Sequence, residues 1–358
     1  MHRLATALII AAGLLPQPAR QQSFAGLVAS LSEPGGYFDT DNLISNERSY
    51  LHVVPELRQL APQAARTGVY IGVGPDQNFS YIAQLRPSLA IIADIRRDNM
   101  LLHLLFKALF AESVTRSAYL AMLTGRAPPA AQGIQSGTVD AIVKQIDSAS
   151  RLDAAGLSAL QSRLMNRITG FGVPLADRDR ATTLAFHRRF VADGLSLRFN
   201  STGRAPQYDY PTLRDLLLEV DKQGVHRSFI ASEEEFQFVK SMQDGDRIIP
   251  IVGDLAGSQA FRAVAKYLAD NGRQVTAFYT SNVEQYLFRN GSFAPFIENL
   301  GRLPKQPGSL IIRSAFPSGM ASAPILPGYN SASMTQSIKV LLDGYGKGQF
   351  RQYWELIR

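Results

Sequence analysis

Two glycines and one carboxylate have the spacing of a nucleoside site. Gly72 and Gly74 close a short apolar run, VYIGVG, and a segment with helical spacing follows directly. Glycines at that point let a ligand approach the backbone, and the start of a helix offers unpaired N–H groups. Asp94 ends a second apolar run 20 residues beyond Gly74, where a carboxylate can accept hydrogen bonds from both ribose hydroxyls. Together these residues predict a ligand that contains a nucleoside.

The glycine loop departs from the dinucleotide pattern. A G-x-G-x-x-G fingerprint wants a third glycine where Gln77 stands, so close packing of a helix against a pyrophosphate is not indicated. A third apolar run ends at Asp254, which would lie one strand further along the same sheet edge and could accept a hydrogen bond from an adenine amino group. A nicotinamide-dependent oxidoreductase remains an alternative, although it gives Asp254 no role.

The elements that must position these residues alternate between strand and helix. Residues 76–85, 98–112 and 258–270 have helical spacing. This order predicts parallel pairing with right-handed crossovers, hence a doubly wound α/β fold of the Rossmann-like type with a mostly parallel sheet. The predicted strands are VYIGVG (69–74), LAIIADI (89–95), RIIPIVGD (247–254), QVTAFYTSN (274–282) and SLIIRSAF (309–316).

A long stretch without strand signals interrupts this rhythm. Residues 115–245 contain several segments with 3.6-residue spacing, separated by Pro and Gly clusters, and Ser232 with Glu235 forms a capping box before the last of them. We therefore expect a mostly helical insertion between the two parts of the α/β domain, residues 67–114 and 246–358.

The residues before the first strand divide into two parts. Residues 20–66, the lid segment, contain a polar, turn-prone stretch that is either an ordinary solvated loop or a lid over the strand ends. Residues 1–19 have the charged start and apolar core of a signal peptide, although an uncleaved N-terminal helix is the alternative. Their apolar core is too short for a membrane span of roughly 20 residues. We expect an exported or periplasmic chain without a stable membrane anchor, or else a cytoplasmic one.

Composition excludes several kinds of site. The chain of 358 residues has 37 Lys and Arg against 30 Asp and Glu, a net charge of +7, but the basic residues occur singly or in pairs. Such a mixed surface does not predict nucleic-acid binding. There is no cysteine, and the five histidines have no metal-binding spacing, so neither a cysteine nucleophile nor a metal site is expected.

Several of these motifs together resemble a known enzyme family. In chain order YIGVGPDQNF, IIADI, PIVGD, AFYTSN and LPKQPGSLII look like the successive motifs of class I S-adenosylmethionine-dependent methyltransferases, the last resembling the LKPGG turn before that family's fifth strand. The resemblance covers residues 66–114 and 245–318, and the insertion is extra. The sequence, including FDTDNLISNE and TSNVEQYLF, is also similar to a family of uncharacterised bacterial proteins with this fold.

The resemblance implies S-adenosylmethionine as the cofactor. Gly72 and Gly74 match the first two glycines of the family's cofactor loop, Asp94 its ribose-binding acid and Asp254 its adenine-side acid. Asp76 replaces the third glycine and would bring a negative charge towards the carboxylate of the cofactor.

Two departures from the family pattern bear on this cofactor. Tyr70 stands where the family has an acidic residue near the cofactor's amino group. An inward-pointing Asp76 would repel the cofactor carboxylate, by about 1 kcal/mol at about 4 Å in water and by more at a lower dielectric constant. Asp76 turned outward as a helix N-cap would avoid this cost.

The resemblance also implies that catalytic or substrate-orienting groups lie at the end of the fourth strand. The candidates there are Tyr279, Asn282 and Glu284. Asn282 could hold an amine or amide substrate, or it could simply cap the next helix. Tyr279 or Glu284 could take part in proton transfer. Glu47, from the polar part of the lid segment, is the fourth catalytic candidate.

These features are compatible with two main functions. One is S-adenosylmethionine-dependent methyl transfer to an unknown small molecule or protein side chain. The other is an exported, non-catalytic protein of methyltransferase fold that serves as a binding or structural module, because a fold alone does not determine function. Export would favour the second, since S-adenosylmethionine is a cytosolic metabolite.

Overall fold

The fold was analysed in a computed structural model, which describes residues 22–40, 42–128, 137–201, 210–316 and 323–357. The signal peptide expected in residues 1–19 lies outside these ranges. The helices and strands are, in chain order, α1 (Phe24–Leu31), a 3₁₀ helix (Arg48–Val53), α2 (Val54–Thr67), β1 (Gly68–Val73), α3 (Gln77–Leu85), β2 (Leu89–Asp94), α4 (Arg97–Glu112), α5 (Arg116–Leu123), α6 (Val139–Ser148), α7 (Ala154–Gly170), α8 (Asp177–Asp193), a 3₁₀ turn (Gly194–Ser196), α9 (Leu213–Leu217), α10 (Glu233–Asp244), β3 (Ile248–Val252), α11 (Ala260–Asp270), β4 (Gln274–Ser281), α12 (Val283–Arg289), α13 (Phe293–Arg302), β5 (Lys305–Ala315), β6 (Ala332–Ser337), α14 (Ile338–Gly346) and a 3₁₀ turn (Tyr353–Glu355).

The described strands form one sheet in the order β3-β2-β1-β4-β5-β6. The first five are parallel, and β6 pairs antiparallel with β5. The chain moves outwards from β1 to β3 in one direction and then returns beside β1 with β4, so the topological switch point lies between β1 and β4. The α/β fold with a mostly parallel sheet and the five predicted strands are thereby confirmed.

Helices cover both faces of the sheet, as a doubly wound arrangement requires. On one face Phe278 of β4 meets Phe261 of α11 and Phe296 of α13, with ring centroids 5.7 and 6.2 Å apart. On the other face Tyr279, the next residue of β4, packs edge-on against Tyr81 of α3 at 5.1 Å. Alternation along the strand thus directs Tyr279 away from the α11 side.

The helical segment lies in the crossover from β2 to β3. Its described residues form α5 to α10 and no strand, and the Ser232 hydroxyl accepts the backbone N–H of Glu235 as the capping pattern predicts. Phe190 of α8 contacts Phe106 of α4 with centroids 6.1 Å apart, and Leu164 of α7 belongs to the same buried cluster as the sheet. The insertion therefore shares one core with the α/β domain.

The C-terminal segment is more regular than its sequence suggests. β6 and α14 form there, although the β6 sequence, ASMTQS, has no apolar run that would predict a strand. β6 is an edge strand that pairs with β5 on one side only. Near the end of the chain, Tyr353–Glu355 form a 3₁₀ turn. No helix within the described ranges is long and apolar enough to cross a membrane.

Candidate functional site

A cavity of about 560 Å³ opens at the carboxyl edge of the sheet. The ends of β1, β2, β3 and β4 contribute Gly74, Asp94, Asp254 and Asn282 to its wall. Asp94 lies beside Val252 in the parallel register, which brings the ends of β2 and β3 to the same edge. The cavity thus lies at the switch point, where open α/β sheets bind their ligands, and its volume is within the range of small-molecule sites.

The lid segment forms the outer wall of this cavity. The backbone N–H of Glu33 donates to the Val252 carbonyl at 3.0 Å, and the N–H of Gly36 donates to the Ile95 carbonyl at 2.7 Å. These bonds fix the segment along the ends of β2 and β3, and the next residues, Tyr37 and Phe38, line the cavity. The segment therefore covers the strand ends.

Gly72, near the end of β1, and Gly74, in the loop that follows, are glycines for different structural reasons. Gly74 has a φ of +80°, and a side chain there would find no atom nearer than 3.7 Å. At Gly72 a Cβ would lie 1.9 Å from Oδ1 of Asn78 and 2.7 Å from the Tyr70 hydroxyl. Gly72 does not line the cavity. The expectation that Gly72 admits a ligand is thus wrong, because protein side chains fill that space.

Asn78 and His103 hold the glycine loop in place. The Asn78 amide donates to the carbonyls of Val73 at 2.9 Å and Pro75 at 2.7 Å, while its oxygen accepts the Tyr70 hydroxyl at 2.7 Å. The Nε2 of His103 lies 2.8 Å from the Gly74 carbonyl. Burial lowers the pKa of His103 to about 4, so the ring is neutral near pH 7 and donates this bond. These hydrogen bonds fix the conformation of the loop through protein side chains alone.

Asp76 neither caps helix α3 nor lines the cavity. It is the N-cap residue of α3, but its side chain makes no capping hydrogen bond. It is only 6% exposed and is not among the residues that line the cavity. Burial raises the pKa of its carboxyl group to about 7. The predicted repulsion of a ligand by an Asp76 carboxylate inside the cavity therefore has no structural basis.

Asp94 lines the cavity, but its oxygens are already engaged. The Arg96 side chain donates to Oδ1 through Nε at 3.1 Å and to Oδ2 through Nη2 at 3.0 Å, and the Arg96 backbone N–H adds a bond to Oδ1 at 2.8 Å. Both side chains are nearly buried. A ribose that used Asp94 as a double acceptor would have to displace this guanidinium.

Asp254 stands in the loop after β3 and is fixed by its neighbours. Its Oδ1 accepts the backbone N–H of Ala256 at 2.9 Å. The carboxylate of Glu33 accepts the Asp254 N–H at 2.7 Å and, through its other oxygen, the Ala260 N–H at the start of α11 at 3.0 Å. Gly257 leaves room for Glu33, since a Cβ there would lie 2.3 Å from the carboxylate. Glu33, which sequence reasoning missed, therefore shapes this end of the cavity.

Glu47 is the centre of a buried network at the opposite end of the cavity. Its Oε2 accepts the hydroxyls of Tyr279 and Ser314, each at 2.5 Å, and its Oε1 accepts the hydroxyl of Ser281. Glu47 lines the cavity although it is only 1% exposed. Burial raises the pKa of its carboxyl group, and the three hydroxyl donors partly oppose this effect. The predicted candidates Glu47 and Tyr279 are thus in direct contact.

Gln77 extends this network to the glycine loop. Its side-chain amide donates to the Tyr279 hydroxyl at 2.9 Å, so the chain of donors runs from Gln77 through Tyr279 to Glu47. Gln77 lines the cavity, whereas Tyr279 is fully buried behind it. Burial raises the pKa of Tyr279 well above its usual value, so Tyr279 serves as a neutral donor.

The residues that end β4 face the cavity. Ser281 has a φ of +54°, a left-handed conformation that costs energy for a residue with a side chain. Asn282 occupies the N-cap position of α12 but makes no side-chain capping bond, contrary to the capping alternative. Both side chains line the cavity. Asn282 thus borders the cavity, and its Oδ1 lies 3.4 Å from the Ser281 hydroxyl.

Glu284, the remaining catalytic candidate, is not brought to this site. Its carboxylate forms a two-fold ion pair with Arg313 of β5, at 2.5 Å and 3.1 Å, and both side chains are 1% exposed. Glu284 does not line the cavity. Although it stands only two residues beyond Asn282, its side chain is directed to β5, where it neutralises the buried guanidinium of Arg313.

Among the residues that the structure describes, those that line the cavity carry a charge opposite in sign to that of the whole chain. They include three carboxylates and one guanidinium, which gives the cavity a formal excess of two negative charges from these residues in a protein of net charge +7. Its lining also includes six aromatic side chains. These are Tyr37, Phe38, Phe199, Tyr210, Tyr286 and Phe316.

A family model describes most of this chain. The model of a domain of unknown function, DUF7790, matches residues 43–150 and 208–344. The chain belongs to the DUF7790 family. No curated protein matches the sequence significantly.

The two matched parts of the DUF7790 domain contain the site residues from Glu47 onwards. They leave out residues 151–207, which hold α7 and α8, and the part of the lid segment before residue 43. The segments that the family model matches thus include the cavity residues Gln77, Asp94, Asp254 and Ser281.

Proposed function

We propose that this DUF7790 domain binds S-adenosylmethionine and transfers its methyl group. The supporting observation is that Gly74, Asp94, Asp254 and Asn282 line one cavity at the switch point. Along the sheet edge the order is Asp254 after β3, Asp94 at the end of β2, Gly74 after β1 and Asn282 after β4. An extended nucleoside with its adenine at Asp254 and its ribose at Asp94 would direct its remaining end past Gly74 towards Asn282.

The charge of the cavity favours this cofactor over a dinucleotide. A pyrophosphate would add two negative charges to a cavity whose described lining residues already have an excess of two, and the guanidinium among these residues, that of Arg96, is bound to Asp94. S-adenosylmethionine carries a sulfonium and an ammonium group and would lower this repulsion. Aromatic side chains in the lining would also favour a cation.

The residues fit most of this cofactor, with one mismatch. Asp254 and Asp94 would hold the adenosine, and the open backbone at Gly74 would admit the amino-acid part. Gly72 cannot contribute, because Asn78 and Tyr70 fill the space above it. The bound cofactor supplies an electrophilic methyl group. The chain's own contribution would be to position the acceptor at Asn282 and to take up its proton at Glu47.

Calorimetric titration with S-adenosylmethionine and S-adenosylhomocysteine tests the proposal. We expect micromolar binding of both, and loss of at least tenfold in affinity in Asp254→Ala, the equivalent of about 1.4 kcal/mol. Asp343→Ala is the control, because Asp343 is exposed, pairs with Lys339 on α14 and is not among the residues that line the cavity. Absence of binding by the unaltered protein, or equal affinities in both variants, would contradict the proposal.

A non-catalytic binding module is the second candidate. The Asp94–Arg96 pair favours it, because the acid that would hold a ribose already has a protein partner. Export of the chain, which residues 1–19 predict, would favour it too. Absence of S-adenosylmethionine binding by the folded protein, with the Asp94–Arg96 pair intact, would support this candidate.

A further inference from the structure

Ser281 connects the cavity to the buried carboxylate of Glu47. Its hydroxyl donates to Oε1 of Glu47, and both residues line the cavity. Glu47 is only 1% exposed, whereas Ser281 at the end of β4 is partly exposed. Because the hydroxyl proton points to Glu47, the Ser281 oxygen is left to accept a hydrogen bond. A ligand group that contacts this oxygen must therefore be a donor.

The carboxylate of Glu47 can take up a proton without losing its other partners. Its Oε2 accepts the hydroxyls of Tyr279 and Ser314, while its Oε1 accepts only that of Ser281. A proton that arrives from Ser281 at Oε1 leaves both bonds to Oε2 in place. Burial raises the pKa of the Glu47 carboxyl group, which makes the carboxylate a stronger base than an exposed one.

Apolar and aromatic side chains line the cavity near Ser281. Three residues on one face of α12, spaced i, i+3 and i+4, belong to this wall. Phe316 follows β5, the neighbour of β4, and lines the same end. The ring of Phe38 from the lid segment lies edge-on to that of Tyr286, with centroids 5.0 Å apart. Such a wall favours an aromatic ring in the ligand. The α12 residues are Val283, Tyr286 and Leu287.

The base behind Ser281 determines which donor belongs there. A thioether has no proton to give, and a neutral amine attacks a methyl group before it loses a proton. A hydroxyl is a poor nucleophile until its proton leaves, so it needs a base in line. Among hydroxyls, that of a phenol has a pKa of only about 10. A phenol also brings the ring that the aromatic wall accommodates.

We propose that Ser281 and Glu47 form a proton relay, and that the methyl acceptor of this domain is a phenolic hydroxyl. The inference rests on the proposed function, because it assigns the acceptor of the same cavity. The phenol oxygen bonds to the methyl carbon of S-adenosylmethionine as the bond from that carbon to sulfur breaks. Its proton passes to the Ser281 oxygen, and the Ser281 proton passes to Oε1 of Glu47. The products are an aryl methyl ether, S-adenosylhomocysteine and a protonated Glu47.

Binding measurements separate this inference from the proposed function. The protein is first titrated with S-adenosylhomocysteine by calorimetry, and if this ligand does not bind, the proposed function fails. In the saturated complex, phenol should bind about tenfold more tightly than anisole, because anisole has no hydroxyl proton to donate. This preference should disappear in Ser281→Ala, whose binding of S-adenosylhomocysteine shows that it is folded. If the unaltered complex does not prefer phenol, only the phenol assignment is wrong.

Transfer to two phenols tests the relay itself. Glu47→Gln and Ser281→Ala should slow transfer to phenol about hundredfold, measured as release of S-adenosylhomocysteine. Transfer to 4-nitrophenol should not slow, because this phenol is already ionised in mildly alkaline buffer and needs no base.

Ser314→Ala is the matched variant for this test. It also removes a hydroxyl donor from Glu47, but Ser314 is not among the residues that line the cavity, so it should affect both phenols alike. Three results would overturn the assignment: equal losses with both phenols in Ser281→Ala, faster transfer to aniline than to phenol, or no transfer to either phenol by the unaltered protein.

Discussion

The guanidinium of Arg96 forms a bidentate ion pair with the carboxylate of Asp94, with Nε–Oδ1 and Nη2–Oδ2 distances of 3.1 and 3.0 Å. Its remaining nitrogen, Nη1, donates to the Thr40 carbonyl in the lid segment at 2.6 Å. The Arg96 side chain thus joins Asp94 to the lid segment. A ligand that takes Asp94 must compete with Arg96, and the lid would lose one of its bonds.

Removing this competitor should strengthen nucleoside binding. We expect Arg96→Ala to bind S-adenosylhomocysteine about tenfold more tightly than the unaltered protein, because the ribose no longer has to displace a guanidinium. Calorimetry measures the change. Arg97→Ala is the control, since Arg97 pairs with Asp179 and does not line the cavity. Weaker binding by Arg96→Ala would mean instead that Arg96 organises Asp94 for its ligand.

The buried Glu284–Arg313 pair should matter for stability. Glu284→Gln leaves a buried guanidinium without its counter-charge, and we expect it to lower the free energy of unfolding by about 3–5 kcal/mol. Urea denaturation measures this loss. In Glu298→Gln, which removes an exposed partner of Arg302, the change should be below about 1 kcal/mol. A small effect of Glu284→Gln would show that Arg313 finds another partner.

Asp76 should make the protein less stable as the pH rises. Its pKa is about 7 in the folded chain against 3.8 as its ordinary value, so between these values the native state holds a proton that the unfolded state has lost. Stability should therefore fall by about 1.4 kcal/mol for each pH unit across this window. Asp76→Asn should remove this part of the slope in urea denaturation at pH 5 and 7.

The same variant also tests the position of Asp76. Because its side chain does not line the cavity, Asp76→Asn should leave the affinity for S-adenosylhomocysteine unchanged. The control for the pH effect is Asp270→Asn, whose carboxylate is exposed beside Lys266. An unchanged pH slope in Asp76→Asn would show that another buried group is responsible.

The N-terminal residues predict a processed chain. If residues 1–19 are a signal peptide, mass spectrometry of the protein from its native host should find a chain that begins near residue 20 outside the cytoplasm. An intact chain that begins at Met1 in the cytosol would contradict export. It would also give the domain direct access to S-adenosylmethionine.

The strands and their shared edge could be predicted because apolar runs that end in Gly or Asp are local signals. Asp94, Asp254 and Asn282 reach the cavity for that reason. The directions of individual side chains, even of near neighbours in the chain, could not be predicted. Gly72 reads as a ligand contact, yet the Asn78 side chain occupies its space.

Which other residues belong to the site depends on side-chain contacts between different strands and helices. Glu284 stands three residues after Ser281 and could not be separated from it in the sequence. Only the position of Arg313 on β5 shows that Glu284 belongs to an ion pair. Ser314 and Glu33 gave no sequence signal at all, because their roles depend on Glu47 and on the start of α11.

A crystal structure of the protein soaked with S-adenosylhomocysteine tests the central claim most directly. The account predicts the adenine at Asp254, the ribose hydroxyls on Asp94 with Arg96 displaced, and the sulfur beyond Gly74 on the side of Ser281. Density for the ligand elsewhere, or an empty cavity with the Asp94–Arg96 pair intact at saturating ligand, would contradict it.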